Sequence, residues 1–228
     1  MKLALTKYGW PEVAIFPAIV AGAMIVCLGA GVLYFGAWVI ISTEAVLAVI
    51  LIWILAFFRD PYRQSPRDSR LLLAPADGEI TDIEIVKEGD FIGEHVIRIG
   101  IFLSIFNVHI NRSPCNLKVE KISYKKGRYK NAASPQAGRV NESNDLYMTK
   151  TDSPHDKLIV RQISGAIARR IVCAAKEGQE LTGGEKFGMI KFGSRTELYL
   201  PASSNVKCLV RRGDKVKAGV TPLIRYEK

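Results

Sequence analysis

The chain has 228 residues and carries 32 Lys and Arg against 22 Asp and Glu, a net charge of +10. That length suits a membrane segment plus one domain of about 170 residues. So basic a chain needs an anionic partner, and an anionic lipid surface fits better than nucleic acid, because no nucleic-acid-binding motif occurs anywhere in it. Cys27, Cys115, Cys173 and Cys208 fall at spacings that match no zinc or redox motif, and one lies in an apolar run, so neither a metal site nor a disulfide framework is expected.

In chain order, the first feature is apolar. Between Ile15 and Phe58 the only charged side chain is Glu44. Two runs, residues 16–34 and 38–58, each approach the roughly 20 residues a spanning helix needs. Residues 1–58 are therefore expected to form a membrane-embedded helical hairpin. Ser42, Thr43 and Glu44 interrupt the second run, and a lone carboxylate near the midplane costs on the order of 2.5–3.5 kcal/mol, so these three are expected at a turn or interface. Lys2 and Lys7 precede the block, while Arg59, Arg63, Arg67 and Arg70 follow it. Positive flanks on both sides place both ends in the cytoplasm and the following domain on the cytoplasmic face of the cell membrane.

After Pro61 the chain reads as short alternating or β-branched runs broken by glycine turns, the pattern of a mainly β domain of sandwich or barrel-like form. Strands are expected at 79–86, 95–102, 117–124, 157–163, 168–174, 196–200 and 206–211. Turns are expected at 88–90, 176–178, 183–184 and 212–214, and no long amphipathic helix competes with them.

Near the C-terminus stands Lys191-Phe192-Gly193-Ser194-Arg195-Thr196. A serine following glycine in a strained turn can attack the carbonyl before it, since glycine has no Cβ to block the approach. The peptide bond then becomes an ester. That ester can eliminate across the serine Cα–Cβ bond to dehydroalanine, which hydrolyses to ammonia and a pyruvoyl group. Of the three histidines, His109 lies in an apolar context, whereas His95 and His155 sit in polar turns and read as surface residues.

The stretch from Phe187 to Pro201, FGMIKFGSRTELYLP, resembles the self-cleavage region of short bacterial phosphatidylserine decarboxylase proenzymes. Three more segments resemble that family in the same order: Phe57-Phe-Arg-Asp-Pro61, Ala74-Pro-Ala-Asp-Gly-Glu-Ile80, and the run from Ile101 to Pro114, IFLSIFNVHINRSP. The resemblance implies a pyruvoyl-dependent lyase of phospholipid biosynthesis that converts phosphatidylserine to phosphatidylethanolamine and CO2 through a Schiff base. It implies a zymogen cut between Gly193 and Ser194, giving a β chain over 59–193 and an α chain over 194–228 packed in the same domain. The pyruvoyl cofactor would arise from Ser194, with no metal and no pyridoxal phosphate.

The resemblance also assigns roles. His109 becomes the acid/base group, and Asp77 the carboxylate that fixes its tautomer in a Ser-His-Asp arrangement. Arg112, Asn107, Asn111, Glu142 and Asn144 become candidates for binding the headgroup. Longer family members carry a second histidine where this chain has Arg112, and Leu-Gly-Ser-Thr where it has Phe-Gly-Ser-Arg; the short members look like this chain at both places. A runner-up remains: Val86-Lys-Glu-Gly-Asp90 and residues 210–219 resemble turns of biotinyl or lipoyl carrier domains, which would make the chain a non-catalytic membrane-tethered module. Nothing in the sequence sets the oligomeric state, and a homo-oligomer is compatible with it.

Overall fold

A computed structural model describes residues 4–34, 36–88, 91–134, 137–166, 170–191, 193–203 and 205–227. The chain divides into two units, Met1–Pro61 and Tyr62–Lys228.

The first unit holds helices α1 (Glu12–Tyr34) and α2 (Ala37–Phe57). Their apolar stretches of 20 and 21 residues are long enough to cross a bilayer. Their side chains face outward, with Ile25 73% and Trp38 84% exposed, which a helix buried in a soluble core would not allow. The two helices pack on one another, and Gly31 permits close approach near their joint, since a Cβ there would lie 2.6 Å from Ile40 Cγ1. Of the two places expected for Ser42, Thr43 and Glu44, a turn or an interface, the turn is corrected: all three lie inside α2. The hydroxyls of Ser42 and Thr43 donate to the Val39 carbonyl at 3.1 and 2.9 Å, so the helix satisfies them internally.

The second unit contains β1 (Leu71–Leu73), β2 (Gly78–Glu88), β3 (Gly93–Leu103), β4 (Ile110–Arg112), β5 (Leu117–Lys125), the short helix α3 (Ala137–Val140) and β6 (Ser143–Lys150). There follow β7 (Lys157–Ile163), β8 (Ile171–Cys173), β9 (Glu180–Leu181), β10 (Lys186–Ile190), β11 (Ser194–Pro201), β12 (Val206–Cys208), β13 (Lys215–Val216) and β14 (Pro222–Tyr226). Eight strands form one curled antiparallel sheet in the order β13-β2-β3-β11-β7-β6-β5-β9, a half-barrel flanked by two three-stranded sheets, β1-β14-β12 and β4-β10-β8. The mainly β expectation is met. The expected strand at 168–174 narrows to Ile171–Cys173, with 167–169 outside the described residues, and the one at 206–211 stops at Cys208.

Alternation explains where the core sits. Successive side chains on a strand point to opposite faces. Ile99, Ile101, Leu146, Met148, Leu158, Val160, Leu198 and Leu200 share the concave side with Ile80, Leu117 and Val119 in one buried cluster. Each such side chain contributes about 1.5–3 kcal/mol when fully buried. Gly178, Gly184 and Gly213 take φ values of +79°, +81° and +94° in three of the four expected turns, conformations that favour glycine; the fourth, at 88–90, lies partly outside the described residues.

Candidate active site

Toward one end of β11, β7 and β6 the concave face changes from apolar to polar. Beyond Leu198 come Thr196 and Ser194; beyond Val160 come Gln162 and Ser164; beyond Leu146 come Asn144 and Glu142. All six polar residues are buried. The cross-strand register aligns Thr196 with Gln162 and Gln162 with Asn144. Their side chains form one network: Asn144 Nδ2 donates to Gln162 Oε1 at 3.1 Å, Gln162 Nε2 to Asn111 Oδ1 at 2.9 Å, and Asn111 Nδ2 to Thr196 Oγ1 at 3.1 Å. Buried amides remain folded only when paired in this way.

Ser194 opens β11. It is fully buried, yet among the described residues its Oγ has no hydrogen-bond partner. A buried hydroxyl without a partner costs about 1–3 kcal/mol, so it calls for a reason. Its neighbour Gly193 has φ +66°, the left-handed conformation a tight turn between β10 and β11 requires. Phe192 lies outside the described residues.

His109 reaches this turn because β4, which begins one residue later, pairs with β10, which ends three residues before Gly193. The His109 carbonyl accepts from Ile190 N–H at 3.2 Å. Its fully buried ring lies between Asn107 O, 3.0 Å from Nδ1, and Gly193 N–H, which donates to Nε2 at 3.3 Å. A carbonyl can only accept and an amide N–H can only donate, so these two contacts suit the tautomer with its proton on Nδ1 and the Nε2 lone pair turned toward the dipeptide.

The Gly193 carbonyl side of the turn is equally constrained. Gly165, just after β7, packs on the Gly193 carbonyl so closely that a Cβ there would lie 2.0 Å from its oxygen. Ser164 N–H donates to Glu142 O at 2.9 Å, tying the strand end next to it. Glu142 is buried, its Oε1 accepting from Tyr124 Oη at 2.6 Å while Oε2 has no partner among the described residues.

Asp77 lies in the turn just before β2. Arg63 holds both carboxylate oxygens, with Nη2 donating to Oδ2 at 2.7 Å, and Ala218 N–H donates to Oδ1 at 2.8 Å. His109 Nδ1 meets the Asn107 carbonyl. Arg112 is buried with Nη1 donating to Gly184 O at 3.0 Å and its stem against Gly219. Asn107 caps the turn before the histidine, its Oδ1 accepting from Ser104 N–H at 2.8 Å. His95 and His155 are exposed. Asn111, Glu142 and Asn144 thus join Ser194 and His109 at the polar end of the sheet, whereas Asp77 and Arg112 support neighbouring loops. A surface cavity of about 950 Å³ lies between residues 62–69 and 182–185, and none of its lining residues belongs to the polar cluster.

The convex face of β11 carries residues that sequence reasoning missed. Arg195 is fully buried. Its Nη2 donates to Asp82 Oδ1 and Oδ2 at 2.9 and 2.7 Å, Nε to Glu197 Oε1 at 2.8 Å, and Nη1 to Thr81 Oγ1 at 2.6 Å. Arg98 bridges Asp82 and Glu84, and Arg161 joins Asp145 to Tyr199. Burial by itself would raise the Asp82 carboxyl, but hydrogen bonds from Thr81 and Arg195 and the charges of Arg195 and Arg98 outweigh it and hold the group below 3.8. Alternating charges on a strand normally read as a solvated face. The signal that could have exposed the missed residues on the concave face is Gln162, a polar residue on the apolar side of LIVRQI.

The phosphatidylserine decarboxylase family model matches residues 50–223. The chain belongs to that family, whose activity is decarboxylation of phosphatidylserine. Among the described residues no group of three or more His, Cys, Asp or Glu could hold a metal ion.

Proposed function

We propose that this protein is a self-processing, pyruvoyl-dependent phosphatidylserine decarboxylase, cut by its own Ser194. The observation that carries the reading is the buried, unpartnered Ser194 Oγ beside a left-handed Gly193 whose N–H rests on His109 Nε2. Ser194 Oγ bonds to the Gly193 carbonyl carbon and gives its proton to His109 Nε2. The Gly193–Ser194 C–N bond then breaks, and the same proton passes to the departing amine. Loss of the residue-194 Cα proton expels the Gly193 carboxylate and leaves dehydroalanine, and water converts that to ammonia and a ketone.

These residues fit a pyruvoyl group at position 194, because the start of β11 is buried and already lined by Thr196, Asn111 and Gln162. When present, that group supplies an electrophilic carbonyl for the headgroup amine and a sink for the electron pair left as CO2 departs. Glu142, with Oε2 unpartnered, suits the headgroup ammonium. His109 delivers a proton to the carbon that has lost CO2, and water then frees the headgroup nitrogen from the enzyme carbonyl, giving phosphatidylethanolamine. The two apolar helices hold the enzyme at its lipid substrate, and the flanking positive charges favour the cytoplasmic face.

The test is Ser194→Ala. The variant should persist as one full-length chain by intact mass and release no CO2 from phosphatidylserine, while the parent gives two fragments with a blocked N-terminus on the smaller. A parent that stays uncleaved, or a variant that is cut normally, defeats the reading.

A further inference from the structure

Two outward-facing elements flank the Gly193–Ser194 bond, and their chemistry matches neither the core nor an ordinary solvated rim. The first is the turn at 104–107. Asn107 and Ser104 bond to each other reciprocally, N–H to O at 2.9 Å and N–H to Oδ1 at 2.8 Å, and hold the intervening residues rigidly. Phe106 is 69% exposed there, while Ile105 Cγ2 comes within 3.9 Å of where a Gly193 Cβ would stand.

The second element is the segment 124–131, Tyr-Lys-Lys-Gly-Arg-Tyr-Lys-Asn, every residue of which is exposed. No acidic residue occurs between Tyr124 and Arg139. This basic loop is tied to the site by buried Asn141, whose Oδ1 accepts from Lys130 N–H at 2.9 Å and whose Nδ2 donates to Lys130 O and Ser164 O, each at 2.8 Å. Arg128 N–H donates to Val140 O at 2.7 Å, and Glu142 N–H to Arg128 O at 3.0 Å. Ser164 leads directly to Gly165 and the Gly193 carbonyl. Arg170, also exposed, accepts from Lys191 N–H at 3.1 Å on the other approach to the turn.

We propose that this end of the β unit docks on an anionic lipid bilayer, with Lys125, Lys126, Arg128 and Lys130 on the headgroups and Phe106 and Tyr129 at the interface. The proposal rests on the lipid substrate inferred above and assigns the surface that brings it to Ser194. Basic side chains with interleaved aromatics are what an anionic headgroup layer recognises, each cation near the surface raising binding roughly fivefold. Helix insertion alone would hold the chain in any bilayer; this loop responds to lipid charge.

The test is hydrogen exchange of the full chain in nanodiscs of zwitterionic lipid and of zwitterionic lipid mixed with phosphatidylglycerol. Amides of 104–107 and 125–131 should exchange about tenfold more slowly in the anionic discs, and the difference should shrink with added salt. The exposed-site variants Lys125→Gln/Lys126→Gln and Phe106→Ser should each lose most of that slowing. Equal exchange in both lipids overturns the proposal, as does slowing produced by a short oligonucleotide and not by anionic lipid. CO2 release measured on the same samples keeps the readings separate: lipid-dependent slowing in a protein inactive on phosphatidylserine upholds the surface and refutes the substrate.

Discussion

Replacing Gly165 with alanine should block self-cleavage without unfolding the protein. The added Cβ would stand 2.0 Å from the Gly193 oxygen and 3.0 Å from its carbonyl carbon. A carbon and a carbonyl oxygen tolerate about 3.3 Å, so the Gly193 carbonyl or the Gly165 backbone must shift by about 1.3 Å. Misplacing a reacting group by 1 Å costs about a hundredfold in rate, equivalent to about 2.7 kcal/mol of barrier. Gly165 lies outside the left-handed region, so alanine adds no backbone strain, and overpacking should lower stability by only about 1–3 kcal/mol. Gly178→Ala is the control: its φ is +79° with nothing within 4 Å, so it should lose about 1–2 kcal/mol of stability and cleave normally. The assay is a time course of fragment appearance by gel and intact mass, beside thermal denaturation of each variant. A folded Gly165→Ala protein that cleaves within threefold of the parent rate refutes the assigned carbonyl position.

His109→Gln keeps a polar side chain but no titrating base, and should slow processing by about 10²–10⁴-fold, while His95→Gln and His155→Gln cleave at the parent rate; a fast His109→Gln time course contradicts its role. Arg195→Lys keeps the charge but loses the fork to Asp82 and Glu197, and should lower stability by about 3 kcal/mol; a denaturant midpoint equal to the parent's removes the buried network as a stabiliser. Asp82→Asn removes the carboxylate that Arg195 and Arg98 share and should cost about 3 kcal/mol at neutral pH. The folded Asp82 carboxyl lies below its unfolded value of 3.8, so its contribution is full above 3.8 and is lost as pH falls through the folded value. The gap between parent and variant should therefore close in acid, and a constant gap from pH 7 to pH 2 in chemical unfolding disproves the assignment.

How far the sequence revealed this architecture depended on whether a signal was local. Strands β2, β3, β5, β7 and β11 announce themselves because their buried faces are apolar along most of their length. Strand β6, Ser143–Lys150, does not: it is buried on both faces, but its start faces the polar cluster through Asn144 and the ionic network through Asp145. Strands β1, β4, β9 and β13, of two or three residues each, exist only through their pairing partners. Within the site, Ser194 and His109 were legible because each stands in a distinctive motif. Gly165 was not, since its role is an approach between residues 28 apart in sequence that no local pattern encodes. Asp77 sits in a legible turn, but which partner its carboxylate takes was set by Arg63 and the Ala218 backbone.

The alternation of β11 explains how a chain could be cut beside Ser194 without losing the new end. Ser194 and Thr196 face the polar pocket, while Arg195 and Glu197 face the buried ionic network. The strand is central, its ladder to β3 starting at the Ser194–Leu103 pair and its ladder to β7 at Arg195–Ile163. A free strand end usually frays, because its first residues lack partners. After such a cut Ser194 would still be laddered, and Arg195 is fixed by a fully buried guanidinium that cannot leave without removing a cation from both Asp82 and Glu197. The upstream end is held too, through Ile190 N–H on the His109 carbonyl. Cleavage at this bond removes a covalent link from a place where packing already determines the positions of both sides, so a group formed at position 194 would stay where the serine stood.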